Sequence, residues 1–293
     1  MYSYWDYPFD SHNYSYVNVA VDQYNFFTIA IDRPGIGSSS IEDPLKVLQM
    51  PVELSVIYEL TRMLRDSSLQ DVPYSSCKII HVGHSFGSSL LYNLASQYPT
   101  ASDGLILTGF SLSETYVGTA IAGFNSQIAS LNQPLRFGTK GYAAVAEAVT
   151  VLAAANETLA FIKQRYPDLG VTLADVELAF QHFNFEDFAA GFEGLILPTT
   201  RELPTGYVTW ADIEANQFAF FYPGAFDPAI LKFAEKTKQP FTVGELLTVG
   251  TSSITAPHFK GPVLVLAGSK YASSGNWFNA NISSRWRCDL LRW

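Results

Sequence analysis

The stretch "KIIHVGHSFGSSLLYNLASQYP", Lys78 to Pro99, constrains the fold more than any other part of this chain. It opens as a short apolar run, narrows to Gly83-His84-Ser85-Phe86-Gly87, and continues with Leu90, Leu91, Leu94 and Tyr98 at helical spacing. A strand must therefore become a helix within a residue or two. Glycines on either side let the backbone turn tightly without a Cβ clash. A serine at such a turn is strained and exposed, and the N–H of the next residue lies at a helix N-terminus, where it can face a developing oxyanion. A chance Gly-x-Ser-x-Gly is the competing reading, and the strand before it and helix after it weigh against chance.

The surrounding sequence alternates in the same way. "FFTIAID", Phe26 to Asp32, is a continuous apolar run ending in the turn "RPGIGSSS", as expected of a parallel strand buried on both faces. "PVELSVIYELTRMLRD" follows, with Pro51 fitting a first helical turn and Val52, Val56, Leu60 and Leu64 at helical spacing. "GLILTGF", Gly104 to Phe110, is a further strand. This strand–helix–strand–helix–strand order predicts an α/β fold with a parallel sheet flanked by helices. From about Ser111 to His258 the pattern is mostly helical, and "GPVLVLAGS", Gly261 to Ser269, resumes the strand pattern. The expected organisation is a core over 1–111, an inserted helical cap over 112–258, and a last core strand with an atypical tail over 259–293.

Composition narrows the function classes. The 293 residues are 48% hydrophobic and 15% charged, enough apolar material for a sizeable core. A net charge of −9, with no cluster of Lys and Arg, argues against nucleic acid as a partner. Two distant cysteines, Cys77 and Cys288, read as free thiols, and no His/Cys group has zinc spacing. No metal or organic cofactor is expected. The opening "MYSYWDYPFD" lacks the basic start and apolar run of a secretory leader. Tyr142 to Ile162 is the nearest approach to a membrane span, but it carries Glu147 and Glu157, so a helix outside the membrane is expected.

In order and spacing, "SYWDYP", "YSYVNVAV", "AIDRPGIGSSS", "VGHSFGSSL", "DGLILTGFS" and, later, "PVLVLAG" resemble the α/β-hydrolase superfamily, in particular a fungal, cap-bearing subgroup of the AB hydrolase-1 type. The resemblance covers the first 110 residues well and is looser through the cap. It implies that Ser85 is the nucleophile, that the Phe86 N–H is one oxyanion donor, and that Gly83, His84 and Gly87 complete the nucleophile elbow. A serine rather than an aspartate at the elbow argues against the dehalogenase and epoxide-hydrolase branches.

The family pattern also breaks. Triad order in this fold is Ser, then Asp or Glu, then His. Where the family places its acid, this chain has Ser269, Lys270 and Tyr271, and the tail beyond holds no histidine. The family's His-Gly oxyanion motif and first three strands would precede "SYWDYP". The missing third strand leaves an expected slot of roughly 10 Å between the Phe26–Asp32 strand and the one before the elbow. An incomplete or altered product of a hydrolase gene is therefore one expectation. Among five histidines, His84 should point away from Ser85, His81 lies about 13 Å upstream in an extended strand, and His258 precedes the last strand, at the wrong end of the sheet for catalysis. His12 and His182 are weighed as substitute bases against surface or packed histidines, and Glu114 as a substitute acid against a solvated cap residue. Loss of the base costs about a millionfold in kcat.

The middle of the chain is rich in aromatics, with "FQHFNFEDFAAGF" and "FAFFYPGAF". Most belong in a cap core, and some are expected to roof a pocket for a hydrophobic small-molecule ester. Two functions follow: a serine hydrolase acting on a carboxylic ester through an acyl-enzyme at Ser85, or a non-catalytic ligand-binding protein on a hydrolase scaffold.

Overall fold

The computed structural model describes residues 4–69, 72, 78–110, 117–138, 159–160, 163–164, 172–174, 201–251 and 255–266. The chain divides into two compact units, Met1–Gln127 with Gly206–Trp293, and Ile128–Thr205.

The first unit is α/β. Helix α1 (Met50–Arg65) precedes strand β1 (Ile80–His84), helix α2 (Phe86–Gln97) and strand β2 (Gly104–Thr108). Strand β5 (Val263–Leu266) completes a three-stranded sheet in the order β1-β2-β5. All pairs are parallel, with Ile80 opposite Gly104 and Leu105 opposite Val263. Between β2 and β5 the same unit holds α3 (Val117–Gly123), β3 (Tyr207–Thr209), α4 (Ile213–Phe220), α5 (Pro228–Thr237), β4 (Phe241–Thr242) and α6 (Val243–Thr248).

The core lies where the sheet meets α1 and α2. Leu90, Leu91, Leu94 and Ala95 of α2 bury against Leu105 and Leu107 of β2 and against Met50 and Leu54 of α1. The apolar face expected of α2 is thus observed. In α1 the buried stripe is Met50, Glu53, Leu54 and Thr61, while Val52 is exposed. Both stripes of this helix carry apolar residues at helical spacing, so periodicity alone does not fix which face turns inward. α6 starts on a reciprocal cap, in which the Thr242 hydroxyl accepts from the Glu245 N–H and the Glu245 carboxylate accepts from the Thr242 N–H.

Two expectations require correction. Phe26 to Asp32 forms no strand, and Phe26, Ile29 and Ile31 are exposed. A β-rich apolar run becomes a strand only where a neighbour satisfies its backbone groups, and among the described residues β1 pairs only with β2. The region read as mostly helical also contains an antiparallel pair, with Tyr207 opposite Thr242 and Val208 opposite Phe241. These strands are two and three residues long, too short to show an alternating pattern.

In the second unit, the short helices Ala129–Asn132 and Pro134–Phe137 stand in sequence. The N–H groups of Arg201 and Leu203 donate to the carbonyls of Arg136 and Phe137. Among the described residues, no helix is long and apolar enough to cross a membrane. The run Tyr142 to Ile162, apart from Leu159 and Ala160, lies outside them, as do Cys77 and Cys288.

Candidate active site

Ser85 is the single residue between β1 and α2. Its backbone is forced to φ 49° and ψ −115°, a left-handed φ that a residue with a Cβ adopts only under constraint. Two neighbours impose it. The Ser85 N–H donates to the Thr108 carbonyl of β2 at 2.9 Å, and the Ser85 carbonyl accepts from the Ser89 N–H at 3.1 Å as the helix begins. Ser88 Oγ donates to the same Thr108 carbonyl at 2.9 Å. The last residue of one strand therefore clamps both sides of the turn that follows its neighbour. The Ser85 side chain itself is exposed.

This turn stands at the C-terminal edge of a parallel sheet, where open α/β sheets bind ligands. The first N–H groups of α2 have no intrahelical acceptor, and the Ser85 side chain does not cap them. The Phe86 N–H leads this set. An oxyanion formed at Ser85 would meet that donor and the positive end of the helix dipole.

His84 faces away from this arrangement. Its Nδ1 lies 2.9 Å from Thr108 Oγ1, which itself donates to the Gly83 carbonyl at 3.1 Å. The Thr108 hydrogen being used, Nδ1 carries the proton and donates. The ring stacks on Tyr4 at 5.0 Å between centroids. It leaves so little room above Gly109 that a methyl there would come within 2.8 Å of the ring. Burial pushes the His84 pKa down to about 4. His81 is also occupied, with Nε2 at 2.9 Å from Thr61 Oγ1 and Nδ1 at 2.8 Å from Ser102 Oγ. Burial first, and then the Arg65 charge, lower its pKa to about 4 against the opposing pull of Asp103. His12 sits exposed in the short helix Ser11–Tyr14, and His258 is exposed in a turn. Among the described residues no histidine hydrogen-bonds the Ser85 hydroxyl. Glu114 and His182 lie outside the described residues.

A charged cluster stands beside the turn. Arg33 Nη1 bridges Glu53 Oε1 of α1, at 3.0 Å, and Glu245 of α6. Its guanidinium lies over the Phe86 ring, 5.5 Å from the centroid. Glu53 is fully buried, and its second oxygen has no partner. Burial, only partly offset by Arg33, raises its pKa. Arg33 comes from the turn "DRPGIGSSS", whose Gly35 and Gly37 both take positive φ. A methyl on Gly35 would strike Leu48 at 2.7 Å and Tyr207 at 2.9 Å, so this loop is packed as tightly as its glycines suggest.

The sequence reading did not single out Arg33, Glu53, Glu245 or Thr108. Glu53 carried a signal, a lone carboxylate amid a hydrophobic helix stripe, but its partner Arg33 is 20 residues away along the chain, and Glu245 lies 212 residues from Arg33. "FAFFYPGAF" is in the described region. Phe220 packs on Phe124 and Trp210, and Phe221 on Phe226, while Phe218 and Tyr222 are exposed. "FQHFNFEDFAAGF" lies outside the described residues. Among the described residues, no three His, Cys, Asp or Glu side chains come together as a metal site.

No family model matches this chain, and no curated protein matches it.

Proposed function

We propose that this chain is an α/β-hydrolase-type serine hydrolase, with an inserted helical cap, that cleaves a carboxylic ester of a hydrophobic small molecule through an acyl-enzyme at Ser85. The observation that carries the reading is the strained, exposed Ser85 between a parallel strand and a helix N-terminus. In the forward step Ser85 Oγ bonds to the ester carbonyl carbon, and the carbonyl electron pair moves onto oxygen beside the Phe86 N–H. Collapse expels the alcohol, which takes the serine proton by way of a general base. Water then repeats the sequence on the acyl-enzyme and releases the acid. His12 and His182 are the substitute bases proposed for that step, with Glu114 as a substitute orienting acid.

A second reading has its own support. Both half-buried histidines of the sheet are engaged elsewhere and are neutral above about pH 4. A serine without a base fits a ligand-binding protein on a hydrolase scaffold. A fluorophosphonate probe separates the two. Stoichiometric labelling of the folded wild type, lost in Ser85→Ala, is the expected result. A folded wild type that takes up no probe leaves the binding reading.

A further inference from the structure

The Arg33 cluster ties four parts of the first unit to one point. Arg33 belongs to the glycine turn after Asp32, Glu53 to α1, Glu245 to the capped start of α6, and Phe86 to the first position of α2. Two buried carboxyl groups on the same guanidinium nitrogen, Nη1, hold that end of the group in place, because loss of either contact leaves a polar atom unpaired in a poor solvent. Glu245 is doubly held, since its other oxygen accepts the Thr242 N–H at 2.5 Å. The anchored cation then rests on the Phe86 ring. The ring and the N–H of Phe86 share one Cα, so holding the ring restrains the peptide that presents the N–H beside Ser85.

Resting on the serine-hydrolase reading above, we propose that Arg33 is a positioning residue: through the Phe86 ring it aims the Phe86 N–H at the oxyanion formed on Ser85. Glu53 and Glu245 serve as its anchors. Arg33 touches no reacting atom.

Arg33→Met alone would strand two buried carboxylates and threaten folding. The test therefore runs in a Glu53→Gln background, where the glutamine oxygen still faces Arg33 and Glu245 keeps both the guanidinium and the reciprocal cap of α6, with variants shown to be folded by circular dichroism. In that background the second-order rate of fluorophosphonate labelling at Ser85 is measured with and without Arg33→Met, Phe86→Leu, and both. Loss of a cation–π contact of this kind corresponds to about fivefold. Each single change is expected to slow labelling by about fivefold, and the double change to slow it no further. Arg33→Lys, which keeps a cation over the ring, is expected to restore most of the rate. A purely structural Arg33 would lower the melting temperature without this coupling. Effects that multiply, or rates that do not change, overturn the proposal while labelled Ser85 leaves the hydrolase reading standing. No labelling of the folded wild type overturns both.

Discussion

A methyl group on Gly83 would sit 2.7 Å from the carbonyl carbon and oxygen of Gly87, while one on Gly87 would meet nothing within 4 Å. The two glycines of the pentad are therefore not equivalent. Gly83 is small because the helix backbone folds back over it. Gly87 occupies open space at the second position of α2.

The first prediction follows from that asymmetry. The obstacle to Gly83→Ala is backbone, which yields only if the turn opens, and overpacking of this kind costs about 1–3 kcal/mol or more. Gly87→Ala is expected to be neutral or to stabilise by up to about 1 kcal/mol, since alanine is the better helix former. Urea unfolding of the two variants checks both signs. Equal losses at the two positions would contradict this account of the turn.

The second prediction concerns acid. His81 and His84 each have a pKa of about 4 against an ordinary 6.5, set first by burial in both cases. The unfolded chain therefore binds more protons than the folded one between these values, and stability must rise with pH across that window. The contribution is full above pH 6.5 and is lost as pH falls toward 4, amounting to roughly 3 kcal/mol per histidine at most. Urea midpoints between pH 7 and 4 give the slope. His81→Asn is expected to reduce that slope by about half, whatever it does to stability at pH 7. An unchanged slope would show that His81 is not a source of acid sensitivity.

Much of the first unit's framework could be read from residues alone. The α/β class, the two helices flanking the elbow segment, and the three paired strands all follow from apolar runs and helical spacing that local sequence dictates. The Phe26–Asp32 run shows where such reading stops: it has the composition of a strand, but pairing depends on what lies beside it. The site divides in the same way. The turn that carries Ser85 and Phe86 was legible because it is local. Arg33, Glu53, Glu245 and Thr108 were not, because each acts through a partner brought close only by the fold.

The third prediction concerns that apolar run, which forms no strand. Phe26, Ile29 and Ile31 are 50%, 46% and 44% exposed, and the outer edge of β1 has no strand partner among the described residues. Exposed apolar chain and an open parallel edge both favour association with other chains. The purified protein is expected to self-associate with rising concentration, and Ile29→Lys with Ile31→Lys to suppress it. Sedimentation over a hundredfold concentration range decides. A wild type that remains monomeric throughout would contradict the prediction.

The fourth prediction concerns Glu53, whose carboxyl is pushed above its ordinary value of 4.5 by burial, with Arg33 pulling the other way. The folded state holds this proton more tightly than the unfolded state. Its stabilising contribution is therefore fully present below pH 4.5 and is lost as pH rises through the raised value. Glu53→Gln removes the titration, retains an oxygen facing Arg33, and leaves Glu245 to balance the guanidinium. The stability difference between wild type and variant should favour the wild type most in acid and shrink as pH rises toward 8. The other titrating groups are common to both proteins, so the difference isolates Glu53 even though the two sheet histidines destabilise both in acid. Paired urea titrations at pH 4, 6 and 8 supply it. A difference that grows with pH would mean that the attraction of Arg33 for the ionised carboxylate outweighs burial, and that the cluster is held by a firm ion pair at Glu53 rather than by a carboxyl group that retains its proton above the usual range.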